Sequence, residues 1–225
     1  MSLRLDWATY ESAKYACQNW HYSKCLPKSK LVKIGVWEDD KFIGVVIYSY
    51  GSCYNLGKPY GLSMTQCCEL TRIALNKHSN PVSKILSISL KFLKCFCPGM
   101  RLVVSFADPR QNHHGGIYQA TNWIYTGQSS SSTCLKKGAE TLHERSFGNR
   151  YGSHSKETIK KHGYESVRIE GKYRYIFPMD KKFYESIKYL SQPYPKRATS
   201  IDSDATDFRS EKGGANPTVA LHSKK

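Results

Sequence analysis

The chain has 225 residues, 40% of them hydrophobic, and its 34 Lys and Arg against 18 Asp and Glu leave a formal net charge of +16 at pH 7. That length suits one domain with room for a tail. No apolar run approaches the ~18–20 residues that span a bilayer, and the start, Met1 to Asp6, has no apolar stretch of the signal-peptide kind, so a soluble intracellular protein is expected.

Ser12–Trp20 reads as a short helix with Ala13, Ala16, Cys17 and Trp20 on one side. Pro27 ends whatever precedes it. Leu31–Trp37 and Phe42–Tyr50 read as hairpin strands about a Glu38-Asp39-Asp40 turn, and Gly51–Gly61 as a long loop. Cys67–Leu75 reads as a strand carrying Glu69 and Arg72. Asn80-Pro81 then opens a helix over Val82–Phe96, where Val82, Ile85, Leu86, Leu90, Leu93 and Phe96 recur at helical spacing until Pro98-Gly99 stops it. Arg101–Phe106 is an apolar strand ended by Asp108-Pro109. Gly115-Gly116 opens a short helix through Trp123, and a strand starts at Ile124. Ser129–Thr133 reads as a polar turn, and residues 134–177 as short strands with a helix over Ser155–His162. Tyr173–Phe177 is the last strand and Asp180–Leu190 the last helix. From Ala198 periodicity stops, so 198–225 is expected to be a disordered tail. The order predicts an α/β fold, a mixed central sheet with flanking helices. Its central βαβα unit places Leu75 and Phe106 at one sheet edge, beyond the carboxyl ends of adjacent strands, where such sheets bind ligands.

The eight cysteines include the adjacent pair Cys67-Cys68 and Cys95-Phe-Cys97, but no CxxC motif. Paired CxxC motifs are the usual sign of a zinc ribbon, so reduced, buried thiols are expected. Residues 1–135 and 136–197 each carry a net +8, the second in half the length, and 198–225 is neutral. Basic density therefore peaks on a folded surface, which suits a polyanionic partner, nucleic acid above all. Lys136, Lys137, Arg145, Arg150, Lys156, Lys160 and Lys161 are the candidate DNA-phosphate contacts, with Tyr151, Tyr164 and Tyr173 interleaved to stack on a base. A merely solubilising surface is the plainer alternative.

The blocks ELTRIA (from Glu69), VVSFADP (from Val103) and HHGGIYQATNWIYTG (from His113), with WHYS from Trp20 and PYPKR from Pro193, resemble the Mom family of phage DNA-modification proteins. The resemblance covers roughly 10–197. It implies a fold similar to the acyl-CoA N-acetyltransferases: one catalytic domain over 1–197 with a basic, DNA-binding part at 136–197. It implies addition of a carbamoylmethyl group to the N6 amine of adenine in phage DNA, inside the bacterial host's cytoplasm. Such a mark blocks restriction enzymes that read that edge of the base. One feature departs from the acetyltransferases, whose glycine-rich loop before the central helix binds the pyrophosphate of coenzyme A. The corresponding stretch Asn76–Lys84 has no glycine. The donor stays open between acetyl-CoA and glycyl-tRNA, with Ser83, Lys84, Arg72, Tyr118 and Glu69 as candidate donor contacts.

Adenine N6 is a poor nucleophile, because its lone pair is delocalised into the ring. Its modification needs an activated donor, a proton acceptor and groups that stabilise developing negative charge, and the base must leave the helix. Asp108 is a candidate proton acceptor or metal ligand, or else a plain turn residue before Pro109. The resemblance implies iron, for which His21, Tyr22, Asp108, His113 and His114 are the candidate ligands; His21 and Tyr22 are also candidate catalytic residues, or else a structural pair, and His113 and His114 at a helix start also suit phosphate. Arg72, inside an apolar strand, needs a partner, which a donor phosphate or carbonyl supplies. Glu69, three positions away, falls on the opposite face of an ideal strand. Tyr118 either protonates a leaving thiolate or packs beside Trp123. Double-stranded DNA with a flipped adenine is the expected partner, with tRNA as a donor carrier and a homodimer left open, and no membrane. Two other readings remain: a conventional N-acetyltransferase acting on another amine, and a non-enzymatic DNA-binding protein.

Overall fold

The computed structural model describes residues 2–50 and 55–196. The expected tail at 198–225, Arg197 and the side chain of Arg145 lie outside the described residues. Met1–Pro195 form one compact unit. Among the described residues no helix is long and apolar enough to cross a membrane.

Strands β1 (Leu3–Trp7), β2 (Leu31–Glu38), β3 (Lys41–Ser49) and β4 (Cys67–Leu75) run antiparallel in that order. The β2–β3 hairpin turns on Asp39 and Asp40, both in left-handed backbone (φ 45° and 61°), the conformation a two-residue hairpin turn requires. Strand β1 was not foreseen, because its five residues bury only Leu3 and Leu5, and those only partly. Helix α1 (Tyr10–Trp20) lies between β1 and β2 in the chain, capped by the Thr9 hydroxyl. From β4 the chain crosses through α2 (Val82–Phe96) to β5 (Leu102–Ala107), which lies parallel to β4. The α2 bounds are those its apolar spacing predicts. Leu86, Leu90 and Leu93 bury one stripe against Val46, Tyr48 and Val103, each such side chain contributing roughly 1.5–3 kcal/mol. The alternate residues Val45 and Ile47 face the other way and take Ala13, Ala16 and Cys17 of α1. These small residues let the helix sit close to the sheet.

Past β5, helix α3 covers only Gly116–Gln119, short of the predicted Trp123, because Asn122 turns left-handed (φ 59°) and ends it. Strand β6 (Ile124–Gln128) follows, and the last strand, β10 (Tyr173–Pro178), inserts antiparallel between β5 and β6. The full order is β1-β2-β3-β4-β5-β10-β6, a mixed α/β sheet. Helix α6 (Lys181–Ile187) packs Phe183 and Ile187 against Leu102, Val104 and Ile176.

Between β6 and β10 a second small sheet is inserted, β8 (Glu140–His143), β7 (Ser132–Lys137) and β9 (Glu165–Ile169) in that spatial order, with α4 (Glu144–Tyr151) and α5 (Lys156–Lys161). The polar stretch Ser129–Thr133, read as a turn, enters β7 at Ser132. The insertion has its own core of Leu135, Phe147, Ile159 and Tyr164, with Leu142 and Tyr151 against it. Tyr164 donates its hydroxyl to Glu140, and Tyr151 stacks on His162 at 4.1 Å. Tyr173 packs against the main core. None of these three tyrosines is a free stacking platform for a base: each ring already serves packing.

Candidate active site at the parted strands

Strands β4 and β5 pair at only three positions, Cys67↔Leu102, Cys68↔Val103 and Glu69↔Val104. Beyond Glu69 they part, for two local reasons. Strand β4 carries a bulge: Leu70 opposes Tyr48 and Arg72 opposes Ile47, which leaves Thr71 as the extra residue. Ser105 on β5 then fills the gap with a side chain. Its hydroxyl donates to the Leu70 carbonyl at 2.9 Å. Its only proton being used there, Ser105 accepts from the Tyr118 hydroxyl at 2.8 Å. A carbonyl that would otherwise lose its sheet partner is thereby satisfied, and the opening is held.

Two cavities meet at this opening, sharing Tyr22, Leu70, Thr71, Arg72 and Phe106. The smaller, about 310 Å³, is lined by His21, Arg72, His78, His113 and Tyr118 among others, and by no carboxylate. The larger, about 630 Å³, is bounded by Tyr60, Glu69, Phe106 and Arg174, and by Ser129, Glu170 and Lys172 from the stem of the insertion. The bulge at Thr71 corrects the alternation argument: with one residue added between them, Glu69 and Arg72 line the same cavity.

Arg72 donates to the carbonyls of Thr71 (2.7 Å) and Cys25 (3.3 Å). Among the described residues it pairs with no carboxylate, so its charge is available to a ligand. His21, buried at the end of α1, accepts the Ser23 backbone N–H on Nδ1 at 3.1 Å. Burial, and then the charges of Arg72, His113 and Lys24, push its pKa down to about 4. The exposed Tyr22 ring lies over His21 at 4.3 Å and meets His113 edge-on at 5.9 Å.

Tyr118 is buried beside Trp123, at 5.0 Å between ring centroids. Burial raises its pKa to about 12, and its proton is committed to Ser105. Its visible work is to hold the opening, not to serve as a free acid. Asp108 lines neither cavity. Its carboxylate accepts the Arg110 backbone N–H (3.1 Å) and guanidinium (2.9 Å) and lies 3.4 Å from the Lys172 ammonium. Burial pushes its pKa up, but the Arg110 hydrogen bonds and the Lys172 charge outweigh that and hold it below the ordinary carboxylate range. A carboxylate neutralised by two cations is a poor base, so the structure favours the turn reading of Asp108, with an added tie to the insertion's stem.

The expected iron ligands are not brought together. His21, Tyr22 and His113 cluster, but Asp108 is occupied elsewhere. His114 stays outside both cavities, its backbone carbonyl accepting the Tyr175 hydroxyl at 2.7 Å. Among the described residues no group of three His, Cys, Asp or Glu side chains could hold a metal ion, and the Nδ1 lone pair of His21 is already used. The five expected ligands therefore do not converge on one iron site. A pyrophosphate on the loop before α2 fits no better. The backbone N–H groups of Ser79 and Asn80 donate to the Glu38 carboxylate at 2.9 and 2.7 Å, and the Asn80 side chain adds a third bond at 2.8 Å. The protein's own anion thus sits on them. Lys84 is tied to Asn80 at 2.8 Å, and Ser83 and Lys84 line neither cavity, although their neighbour Val82 does.

Of the expected DNA contacts, Lys136, Lys137, Lys156, Lys160 and Lys161 are exposed on the insertion. Lys137 also donates to the His162 carbonyl at 2.9 Å, and Arg150 is ion-paired to Glu140 at 2.7 Å. Ser105, Glu38, Tyr60, Lys172 and Arg174 were not singled out from the sequence. Only Ser105, a lone hydroxyl in an apolar strand, offered a signal.

A sequence profile of the Mom protein family matches residues 2–196. The methylcarbamoylase mom of Escherichia phage Mu is 28% identical over 212 residues, covering 86% of this chain and 84% of its own. Among solved structures, aminoglycoside acetyltransferase AAC(6')-Ib with coenzyme A and kanamycin aligns at 9% identity and a TM-score of 0.49, covering 83% of this chain and 99% of that one. The same enzyme with coenzyme A alone gives 8% and 0.49. With the profile spanning the whole central sheet, both cavities and the insertion, the chain belongs to the Mom protein family.

Proposed function

We propose that the protein is a transferase that adds a small, nitrogen-bearing two-carbon group, carbamoylmethyl or an isomer, to the N6 amine of adenine in phage DNA, in the host cytoplasm. The observation that carries this reading is the pair of cavities meeting at the opening between β4 and β5, in a member of the Mom family. The smaller cavity presents N–H donors and positive charge, which suits the carbonyl oxygen of an activated donor. The larger offers the Glu69 carboxylate to take a proton from the amine, and the Tyr60 and Phe106 rings to hold a base drawn out of the duplex. The basic insertion stands beside that larger cavity, where the sugar–phosphate backbone of a flipped nucleotide would run.

Composition narrows the donor. An acetyl group adds C2H2O, about 42 mass units, whereas carbamoylmethyl, methylcarbamoyl and glycyl groups each add C2H3NO, about 57. Acetyl transfer alone lacks the nitrogen. The test is mass spectrometry of nucleosides from plasmid DNA of cells expressing the protein. The expected product is a deoxyadenosine heavier by about 57 mass units, with fragmentation separating the isomers. A gain of about 42 would make it a plain acetyltransferase, and unmodified DNA beside abundant folded protein would reject the reading.

A further inference from the structure

We infer that His21 is a fixed hydrogen-bond donor whose Nε2–H binds and polarises the carbonyl oxygen of the group being transferred, and is neither a base nor a metal ligand. This rests on the proposed transferase reading, and it concerns the one feature the three isomeric groups share, a carbonyl.

A turn fixes the ring. His21 closes α1 in extended backbone (φ −112°, ψ 139°). The Lys24 N–H then donates to the His21 carbonyl at 3.0 Å, with Lys24 itself left-handed (φ 51°). That turn carries the Ser23 N–H beneath the imidazole, 3.1 Å from Nδ1. A backbone N–H can only donate, so Nδ1 must present its lone pair. The single proton of a neutral imidazole is then on Nε2. The Ser23 hydroxyl, 2.8 Å from the same Nδ1, can serve only as a second donor.

Nε2 itself has no partner among the described residues, and it is not sealed away. The buried side-chain atoms lacking a partner are Ser29 Oγ and Trp123 Nε1. Nε2 is therefore reachable by a ligand, and His21 lines the smaller cavity. The charged and titratable groups facing the ring are Arg72, His113, Lys24 and Tyr22, none of them a carboxylate. A neutral donor beside the Arg72 guanidinium, in a cavity without carboxylates, is the arrangement that stabilises a carbonyl oxygen gaining negative charge. A general base would need the opposite tautomer.

The role separates two substitutions. Glutamine can place an amide N–H where Nε2–H stood, and alanine cannot. In cells expressing equal amounts of protein, at early times when modification is far from complete, His21→Gln should stay within about tenfold of the wild-type fraction of modified deoxyadenosine. His21→Ala should fall by about 100-fold or more, the loss typical of removing one such donor. If both variants keep the wild-type melting temperature and are equally inactive, the inference is wrong and His21 acts through a lone pair. A second measurement needs no activity and no variant. Histidine 15N chemical shifts of the wild-type protein should show the Nε2–H tautomer through neutral pH; an Nδ1–H signal would overturn the inference. Wild-type protein that leaves DNA unmodified would instead reject the transferase reading, a separate outcome from modification that both variants lose alike.

Discussion

At the scale of single residues, the opening between the strands depends on one hydroxyl. Ser105 is almost fully buried, and its hydroxyl donates to the Leu70 carbonyl while giving the Tyr118 hydroxyl an acceptor. Ser105→Ala removes both bonds, which should cost about 1–3 kcal/mol for a buried group left unpaired. It should also lower the melting temperature and reduce modification. Tyr118→Phe removes one bond but leaves Ser105 bonded to Leu70, so its cost should be nearer 1 kcal/mol, with most activity kept. The pair of variants discriminates between roles: if Tyr118→Phe folds normally yet abolishes modification, the hydroxyl delivers a proton and does not merely hold the gap. Residues of this kind were hard to read in advance. Arg72 stood out because a charge within an apolar strand needs a partner. Its companionship with Glu69 did not, because the bulge at Thr71 exists only relative to the register of β3. The same holds for Asp108, whose two cationic partners come from a turn and from the far end of the insertion.

At the scale of elements, local patterns were legible where they repeat and illegible where geometry is set by a distant partner. Helix α2 carries six apolar positions at helical spacing after a proline, and its bounds follow. Nothing comparable marks β1, and nothing in Asn76–Pro81 shows that Glu38, from the end of β2, will cap its N–H groups. That cap makes a pH-dependent prediction. The N–H groups of Ser79 and Asn80, and the Asn80 side chain, lower the Glu38 pKa. A carboxylate whose folded pKa lies below its unfolded value, roughly 4.3, adds stability that is complete above the unfolded value and is lost as pH falls through the folded one. Glu38→Gln should therefore melt below wild type at pH 7, and the difference should shrink as the pH is lowered from 5 towards 3. A constant difference across that range would mean that shape, not ionisation, holds the loop. If the occupied N–H groups are what leaves pyrophosphate without a seat, removing the anion with Glu38→Ala should not diminish binding of coenzyme A, and an increase measured by calorimetry would mark the vacated site.

At the scale of the whole molecule, the chain divides its labour between a sheet that opens at β4–β5 and an insertion that brings positive charge to the mouth of that opening. Segment charge alone indicated that the basic surface lay after residue 136. It did not indicate that β10 returns between β5 and β6, which makes residues 129–172 an excursion from the sheet and sets their stem against the larger cavity. Helix α5 carries Lys156, Lys160 and Lys161, all exposed, while Ile159 anchors it to the insertion's core. Replacing the three lysines with alanine should therefore leave the melting temperature nearly unchanged, since exposed positions away from packing shift stability little. Duplex DNA binding should weaken by a similar factor on every sequence tested, because phosphates carry no sequence information. Each lysine that neutralises a phosphate adds about 0.9 to the slope of log affinity against log salt. The triple variant should thus lose up to about 2.7 from that slope. A slope that stays the same while modification also stays the same would place the DNA on another face. An unchanged slope with lost modification would mean that these lysines orient the insertion over the cavity without touching the backbone.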